Sequence, residues 1–285
     1  MSNLEISRAQ RLDQKVVELI PELSRGFAAR LIEEGKVTVN GTPQTKPGYK
    51  LREGNEVAVA YDVSELAKIP AIELEVLYED DDCVVINKPI GILSHSKGAF
   101  NPEATVATWL RSRLKGLSGE RGGIVHRLDR ATSGVMICAK TPEALSWLQK
   151  QFATRNVKKA YAAIIAGELN PPEAIIDMPI GRNPKTPATF RVDVQGKYAK
   201  TGYKTIATNG KHSLLELRPE TGRTHQLRVH LNHLHHAIVG DPLYGGESAD
   251  RLYLHAESLE ITILKSHERK AFTAPLPPEF TKYVA

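Results

Sequence analysis

The sequence predicts an α+β protein made of a small N-terminal module and a larger second module. The first sixty residues carry two helical patterns followed by a hairpin signal, whereas the remainder mixes helical patterns with strand-like runs. The chain has 285 residues, which at roughly 150 residues per domain fits one large domain together with a small one. No internal repeat or low-complexity tract interrupts this pattern.

The N-terminal module is predicted to hold two helices and then a small hairpin sheet. The first helix ends before Pro21, and its apolar residues have helical spacing: Leu12, Val16, Leu19 and Ile20. Ser24 is the expected N-cap of a second helix that Gly35 ends. The apolar face of that helix consists of Phe27, Ala28, Leu31 and Ile32. Asn40-Gly41 then gives a strong hairpin signal, so strands are expected on both sides of it.

The larger module is predicted to combine strands and helices. Strand-like runs occupy residues 74–78, 83–86, 160–166, 203–208 and 213–218. Residues 105–114 have helical spacing, and Thr141 before Pro142 predicts the start of a helix that runs through Phe152. We place the small module in residues 1–62, a linker in residues 63–72 and the larger module in residues 73–285. In the linker, Pro70 opposes continuation of a helix.

The composition excludes several classes of protein. The two cysteines are too few for a disulfide framework or a four-thiolate metal site, which indicates a cytoplasmic protein. The first residues carry charges where a signal peptide needs an apolar stretch, and no apolar run approaches the roughly 18 residues of a membrane helix. We therefore expect no membrane association.

The distribution of charge favours a polyanionic partner. The net charge of the chain is only +5. However, residues 104–160 contain 11 basic and 3 acidic side chains, and residues 181–230 contain 10 basic and 3 acidic ones. Two basic segments that fold onto one face would suit a nucleic acid, although scattered surface lysines would give the same counts.

The segment from residue 122 to residue 136 is the most informative part of the chain. It places polar side chains between apolar strand ends, with glycines on both sides. Asp129 lies between Arg127 and Arg130, and neighbouring positive charges keep a carboxylate ionised at neutral pH. Such a carboxylate can act as a nucleophile or as a general base. The alternative is a surface turn with a structural ion pair.

Five sequence blocks in the larger module accompany this segment. The run His126-Arg-Leu-Asp-x-x-Thr-Ser-Gly134 resembles the catalytic signature of the RluA-type pseudouridine synthases, which isomerise uridine within RNA. The other blocks resemble those of the same family and occur in its order, at residues 84–91, 158–161, 221–230, 240–245 and 252–256. The resemblance covers about residues 74–260 and implies a mixed, mainly antiparallel catalytic domain.

The resemblance implies a role for individual side chains. Asp129 would be the essential catalyst, either as a nucleophile on the ribose or as a base that removes a ribose proton. Two further residues would be catalytic. Tyr161 would stack under the flipped base or serve as an acid or base, and Arg228 would pair with Asp129 and keep it ionised and oriented. The other substrate-binding residues would be Arg127, which fills the gap left by the base, His126, Thr132, and Leu254 as an apolar floor. The reaction would need neither a cofactor nor a metal.

The N-terminal module resembles a second family. The residues that carry this resemblance are Arg11-Leu12-Asp13, Leu23-Ser24-Arg25 and the run from Leu31 to Gly41. They are similar to the alpha-L RNA-binding domain of a small-subunit ribosomal protein. The resemblance implies that five side chains face RNA: Arg11, Ser24, Arg25, Arg30 and Lys36.

The hypothesis that follows is a monomeric RNA pseudouridine synthase that acts on large-subunit ribosomal RNA, with transfer RNA as the alternative substrate. A non-catalytic RNA-binding ribosome-assembly factor is the rival of a different class, and a hydrolase that uses Asp129 with a histidine is a weaker one. Five histidines between residues 225 and 236 raise the question of a metal site. Their spacing does not match a zinc motif, so we expect surface histidines near RNA.

Overall fold

The N-terminal module packs two helices against a small sheet. The structure, a computed structural model, describes residues 10–21, 23, 25–61, 70–95, 103–117 and 121–285. The elements of this module are α1 (Leu12–Leu19), α2 (Arg25–Glu33), β1 (Val37–Val39), β2 (Thr42–Pro43) and β3 (Val57–Val59). Its three strands are antiparallel, in the order β2-β1-β3. The predicted order of two helices and a hairpin sheet is confirmed.

The sequence patterns of the turn and of the second helix in this module agree with the observed conformation and burial, whereas one residue of the first helix differs. Asn40 and Gly41 adopt φ values of 50° and 75°, the left-handed conformation that a tight hairpin turn needs. The whole predicted face of α2 is buried. Leu19, in contrast, shares the helical spacing of the apolar residues of α1 but is 48% exposed. Helix α1 buries Asp13 as well as Leu12 and Val16. The predicted N-cap Ser24 and most of the predicted linker lie outside the described residues.

The larger module contains a long mixed sheet with helices. Its strands are β4 (Glu75–Glu79), β5 (Cys83–Lys88), β6 (Ser133–Ala139), β7 (Lys158–Ala166), β8 (Glu173–Asp177), β9 (Ile180–Arg182), β10 (Phe190–Val192), β11 (Lys200–Thr208), β12 (His212–Pro219), β13 (Leu254–Thr262) and β14 (Arg269–Thr273). Its helices are α3 (Val106–Leu110), α4 (Pro142–Ala153), α5 (Gln226–His233) and α6 (Pro278–Lys282).

The order of the strands determines which loops meet. Among the described residues the main sheet has nine strands, ordered β4-β5-β6-β13-β7-β12-β11-β8, with β14 also paired to β13. The β6–β13 pair is parallel, whereas the other pairs are antiparallel. The predicted mixed, mainly antiparallel sheet is confirmed. Because β6 and β13 are parallel neighbours, the loops that precede them lie at the same edge of the sheet.

A glycine permits the close contact between these two strands. Gly134 lies in β6 with φ 115°, and a Cβ atom there would be 2.1 Å from the carbonyl oxygen of Ala256 in β13. A side chain at this position would push the strands apart. The glycine therefore helps to set the geometry of the edge at which β6 and β13 begin.

Two predicted helices have different outcomes. Thr141 accepts a hydrogen bond from the backbone N–H of Ala144, and Pro142 is the first residue of α4, as expected. The predicted helix at residues 105–114 is shorter, because α3 ends at Leu110 and a 3₁₀ turn follows. Among the described residues, no helix is long and apolar enough to cross a membrane.

Candidate active site

A cavity of about 130 Å³ lies beside the loop that carries Asp129. Six of the seven side chains predicted for the catalytic site line it, namely Arg127, Asp129, Thr132, Tyr161, Arg228 and Leu254. The seventh, His126, lines an adjoining cavity instead. The structure therefore brings together six residues that span 127 to 254 in the sequence.

The sheet topology explains this convergence. Asp129 lies in the loop before β6, and Leu254 is the first residue of the parallel strand β13. Tyr161 lies in β7 opposite Ala256 of β13. Arg228 comes from α5, which follows β12. The loop before β6, the neighbouring strands β13 and β7, and the helix α5 thus supply these side chains of the pocket.

The loop of Asp129 is fixed on both sides by residues that follow β5. The hydroxyl of Ser94 accepts a hydrogen bond from the N–H of Leu128 (3.1 Å) and donates one to its carbonyl (2.8 Å). The N–H of Gly91 donates to the carbonyl of Arg130 (2.8 Å). Because the residues before and after Asp129 are both held, the backbone at Asp129 is fixed relative to the end of β5.

Lys88 at the end of β5 is fully buried below this loop. Its ammonium donates hydrogen bonds to the carbonyls of Pro89 (2.8 Å) and Ile92 (2.9 Å). Burial lowers the pKa of Lys88 to about 7, although the negative charge of Asp129 acts in the opposite direction. This lysine connects the residues after β5 electrostatically to the loop that carries Asp129.

Arg228 bridges two carboxylates. Its Nε and Nη2 each donate to Asp241 at 2.7 Å, and its Nη1 lies 3.6 Å from Oδ2 of Asp129. The side chains of Arg228 and Asp241 are 6% and 0% exposed. Burial alone would lower the pKa of Arg228, but hydrogen bonding to Asp241 and the charges of both carboxylates raise it. Asp129 is the partner of Arg228 that the sequence predicts, but Asp241 is the closer partner in the structure.

His225 is a further group that faces Asp129. It begins α5 in the left-handed conformation, with φ 57°, and its Nε2 lies 3.7 Å from Oδ2 of Asp129. Its Nδ1 is 2.9 Å from the hydroxyl of Tyr244, which also accepts a hydrogen bond from the N–H of Phe190. Burial lowers the pKa of His225, with the charge of Asp129 opposing the shift. The ring is therefore neutral at pH 7.

The phenol of Tyr161 remains protonated at neutral pH. Burial and the charge of Asp129 both raise its pKa above the ordinary value. The buried side chain of Leu254 lines the same cavity. Tyr161 and Leu254 thus give the pocket apolar surface, whereas Asp129 and Arg228 supply its charge.

Arg127 and His126 point in different directions. Nη2 of Arg127 lies 4.0 Å from Oδ1 of Asp129, and its side chain is 42% exposed. His126 stacks on Phe152 with the ring centres 4.6 Å apart, and its Nε2 accepts a hydrogen bond from the N–H of Ile137. Burial lowers the pKa of His126 to about 3, so this ring is neutral.

The basic residues predicted in the N-terminal module lie at its surface. Arg11 and Arg25 both contact the buried carboxylate of Asp13, at 2.9 and 3.0 Å. The remaining two described residues, Arg30 and Lys36, both contact Glu34. The side chains of these four basic residues are between 44% and 56% exposed, which leaves their outer faces open to a ligand.

Sequence reasoning missed Asp241 and His225 as parts of this site. The surface position expected for the five histidines is wrong for His230, which is fully buried and contacts Thr201 and the carbonyl of Met178. The block at residues 240–245 was the available signal for Asp241. In the part of the chain that the structure describes, no three His, Cys, Asp or Glu side chains are grouped to hold a metal ion.

Both modules of the chain match known protein families. The solved structure of human RNA pseudouridylate synthase domain containing 1 superimposes with a TM-score of 0.60 and 30% identity, over 71% of this chain and 83% of that one. The sequence profile described as RNA pseudouridylate synthase matches residues 82–233, and the S4 domain profile matches residues 10–57. The chain belongs to the RNA pseudouridylate synthase family.

Full-length relatives agree with this assignment. Ribosomal large subunit pseudouridine synthase D of Escherichia coli strain K12 is 35% identical over 294 residues, which cover 96% of this chain and 90% of that protein. The protein of the same name from Yersinia pestis is 38% identical over 275 residues, which cover 95% of this chain and 83% of that protein. Both resemblances inferred from the sequence are confirmed, as are the enzyme class and RNA as the partner.

Proposed function

We propose that the protein converts uridine to pseudouridine in large-subunit ribosomal RNA, with Asp129 as the catalytic residue. The observation that carries this proposal is the position of Asp129 in the cavity, where it faces Arg228 at 3.6 Å and His225 at 3.7 Å. The choice of RNA follows from the relatives above, whose names state that they act on the large ribosomal subunit.

The reaction makes specific demands on the site. The bond between the ribose C1′ and the uracil N1 must break, the base must turn over, and C1′ must bond to the uracil C5. C5 then loses its proton and N1 gains one, so the product is an isomer of the substrate. A uridine in a stack is inaccessible, so the nucleotide must first be flipped out at a cost of a few kcal/mol. Asp129 would act on the ribose as a nucleophile or remove a ribose proton, and Arg228 would orient its carboxylate under either route.

The other lining residues would hold the nucleotide. Tyr161 would stack on the detached base, which needs a contact without fixed direction while it turns. Leu254 and Thr132 would close the floor of the pocket, and Arg127, at its rim, would occupy the gap that the flipped base leaves in the RNA. These side chains supply the whole proposed chemistry, since no redox or hydrolytic step is involved.

The N-terminal module would provide affinity rather than chemistry. We propose that residues 1–62 form this module, that residues 63–72 link it to the catalytic domain at 73–285, and that Arg11, Arg25, Arg30 and Lys36 contact RNA phosphates. Phosphate contacts of this kind make binding weaken as salt rises. We further propose that the protein acts as a monomer in the cytoplasm.

The experiment uses RNA that carries tritium at C5 of uridine, taken from a strain that lacks this protein. Isomerisation displaces this tritium into water, so its release measures turnover. Wild type should release it from ribosomal RNA, and the isosteric variant Asp129→Asn should bind the same RNA without releasing it. Release from transfer RNA alone would replace the proposed substrate. Tight binding without release from either RNA would favour the ribosome-assembly factor.

A further inference from the structure

A second and larger cavity, of about 400 Å³, adjoins the catalytic pocket. The two cavities share part of their walls, including Arg127, Lys159 and Arg223. The second cavity then extends over the end of α4 and the start of β7, where Phe152 and Arg155 line it. The reaction proposed above uses Arg127 and Tyr161 of the shared wall but gives no role to the rest of this cavity.

The walls of the second cavity combine two kinds of surface. Three apolar side chains line it: Val125, Phe152 and Val157. Four cations also line it: Arg127, Arg155, Lys159 and Arg223. The carboxylate of Glu220 is a further lining group, but it pairs with Lys200 at 2.8 Å. Apolar side chains that include an aromatic ring, together with several cations, suit a nucleotide, whose base stacks and whose phosphate is charged.

Three of these cations have no carboxylate partner within the described residues. The guanidinium of Arg155 lies 5.1 Å from the ring centre of Tyr198, and Nε of Arg223 donates to the carbonyl of Tyr198 at 2.9 Å. The third, Lys159, has only a long contact of 3.4 Å with the carbonyl of Thr221. Their charges are therefore available to a phosphate.

We infer that the second cavity binds a nucleotide adjacent to the target uridine in the same RNA strand. Its base would lie against Phe152, and its phosphate would contact Arg155. This inference rests on the proposed function, because a strand that delivers a uridine to the catalytic pocket must bring the neighbouring nucleotide to the shared wall. The volume falls within the roughly 300–1,000 Å³ that is usual for a ligand site.

Arg155→Ala is the first test, because Arg155 lines the second cavity and not the catalytic pocket. With tritium release as the assay, we expect kcat/KM to fall about tenfold through KM, since a charged hydrogen bond to the phosphate is lost. The slope of log(kcat/KM) against log(salt) should become shallower by about one. Arg155→Lys keeps the charge and should retain most of the wild-type kcat/KM and most of the wild-type salt slope.

Lys265→Ala is the charge-matched control. Lys265 is 62% exposed and pairs with Asp81 beside the start of β5, whereas the catalytic loop contacts the residues after the end of β5. This variant removes the same unit of charge from the chain. Both kcat/KM and the salt slope should remain those of wild type, which separates a local contact from an effect of net charge.

A second test examines the RNA. The substrate is shortened to the smallest fragment that wild type modifies, and single linkages beside the target uridine are replaced by uncharged methylphosphonates. At one neighbouring position the replacement should lower kcat/KM for wild type about tenfold, and it should have little further effect on Arg155→Ala. Such non-additivity in a double-mutant cycle reports a direct contact.

The outcomes separate the two proposals. If wild type releases tritium but Arg155→Ala behaves like Lys265→Ala, the second cavity binds no neighbouring nucleotide and the proposed function stands. The same conclusion follows if the effects of Arg155→Ala and of the methylphosphonates are additive at every position. If wild type releases no tritium from either RNA, both proposals are overturned.

Discussion

Replacement of Asp241 by asparagine should destabilise the catalytic domain strongly. The variant Asp241→Asn keeps the size of the side chain but removes the charge that neutralises the buried guanidinium of Arg228. In addition, Oδ1 of Asp241 accepts hydrogen bonds from the backbone N–H groups of Leu243 (3.1 Å) and Tyr244 (3.2 Å). An amide cannot accept all of these bonds and both guanidinium bonds with its single oxygen.

The magnitude follows from the burial of the pair. Loss of one partner from a buried ion pair costs about 3–5 kcal/mol of the free energy of unfolding. Here the guanidinium of Arg228 would lose its two charged hydrogen bonds to Asp241 and keep only Asp129, at 3.6 Å. For a domain of about 200 residues this lowers the melting midpoint by roughly 6–20 °C. Since Arg228 would also lose its orientation toward Asp129, kcat should fall about 100-fold where the variant is still folded.

Tryptophan fluorescence is a suitable measure of this stability. The two tryptophans, Trp109 in α3 and Trp147 in α4, both belong to the larger module, so thermal melting followed at these residues reports the catalytic domain. Asp81→Asn is the matched control, since Asp81 is 67% exposed and its pair with Lys265 contributes about 0–1 kcal/mol. A midpoint for Asp241→Asn within about 2 °C of wild type would refute the reasoning.

Three other variants test the proposed roles of single side chains. Arg228→Ala should lose turnover and also lower the melting midpoint, because Asp241 would remain buried and charged without its partner; unchanged turnover would remove Arg228 from the proposed mechanism. Burial lowers the pKa of Lys159 to about 8, so kcat/KM of wild type should decrease as the pH rises through 8 and this cation is lost. Lys159→Arg stays charged and should keep its kcat/KM at pH 9, and a parallel decrease in both proteins would contradict a role for Lys159. Arg25→Ala should weaken RNA binding and reduce the salt slope by about one with kcat unchanged, and an unaltered slope would show that Arg25 makes no phosphate contact.

Elements with strong local signals could be predicted from the sequence. The hairpin turn at Asn40 and Gly41 and the start of α4 at Thr141 depend on a few adjacent residues, and both are confirmed. The end of α3 was not predictable, because residues 111–113 continue the helical spacing but form a 3₁₀ turn. The exposure of Leu19 is likewise set by packing between elements.

Only part of the candidate site could be predicted from the sequence. The pocket around Asp129 could be predicted because its residues lie in blocks that resemble a known family. The contact between Arg228 and Asp241 could not, since it depends on how α5 packs against a loop 13 residues further along the chain. His225 could not be distinguished from the nearby histidines until the backbone directed its ring toward Asp129. The roles of the individual side chains stay predictions until the variants are measured.

The position of β13 also determines when the chain can become active during synthesis. This strand lies between β6 and β7, so it joins a half-sheet that leads to Asp129 with one that carries Tyr161. Ser133 and His255, which are partners across the β6–β13 pair, are 122 residues apart in sequence. Pairing over such a separation is slow, and it cannot begin before the ribosome has made β13. A nascent chain that ends before β13 therefore lacks both Leu254 and the strand that joins the half-sheet leading to Asp129 with the half-sheet that carries Tyr161.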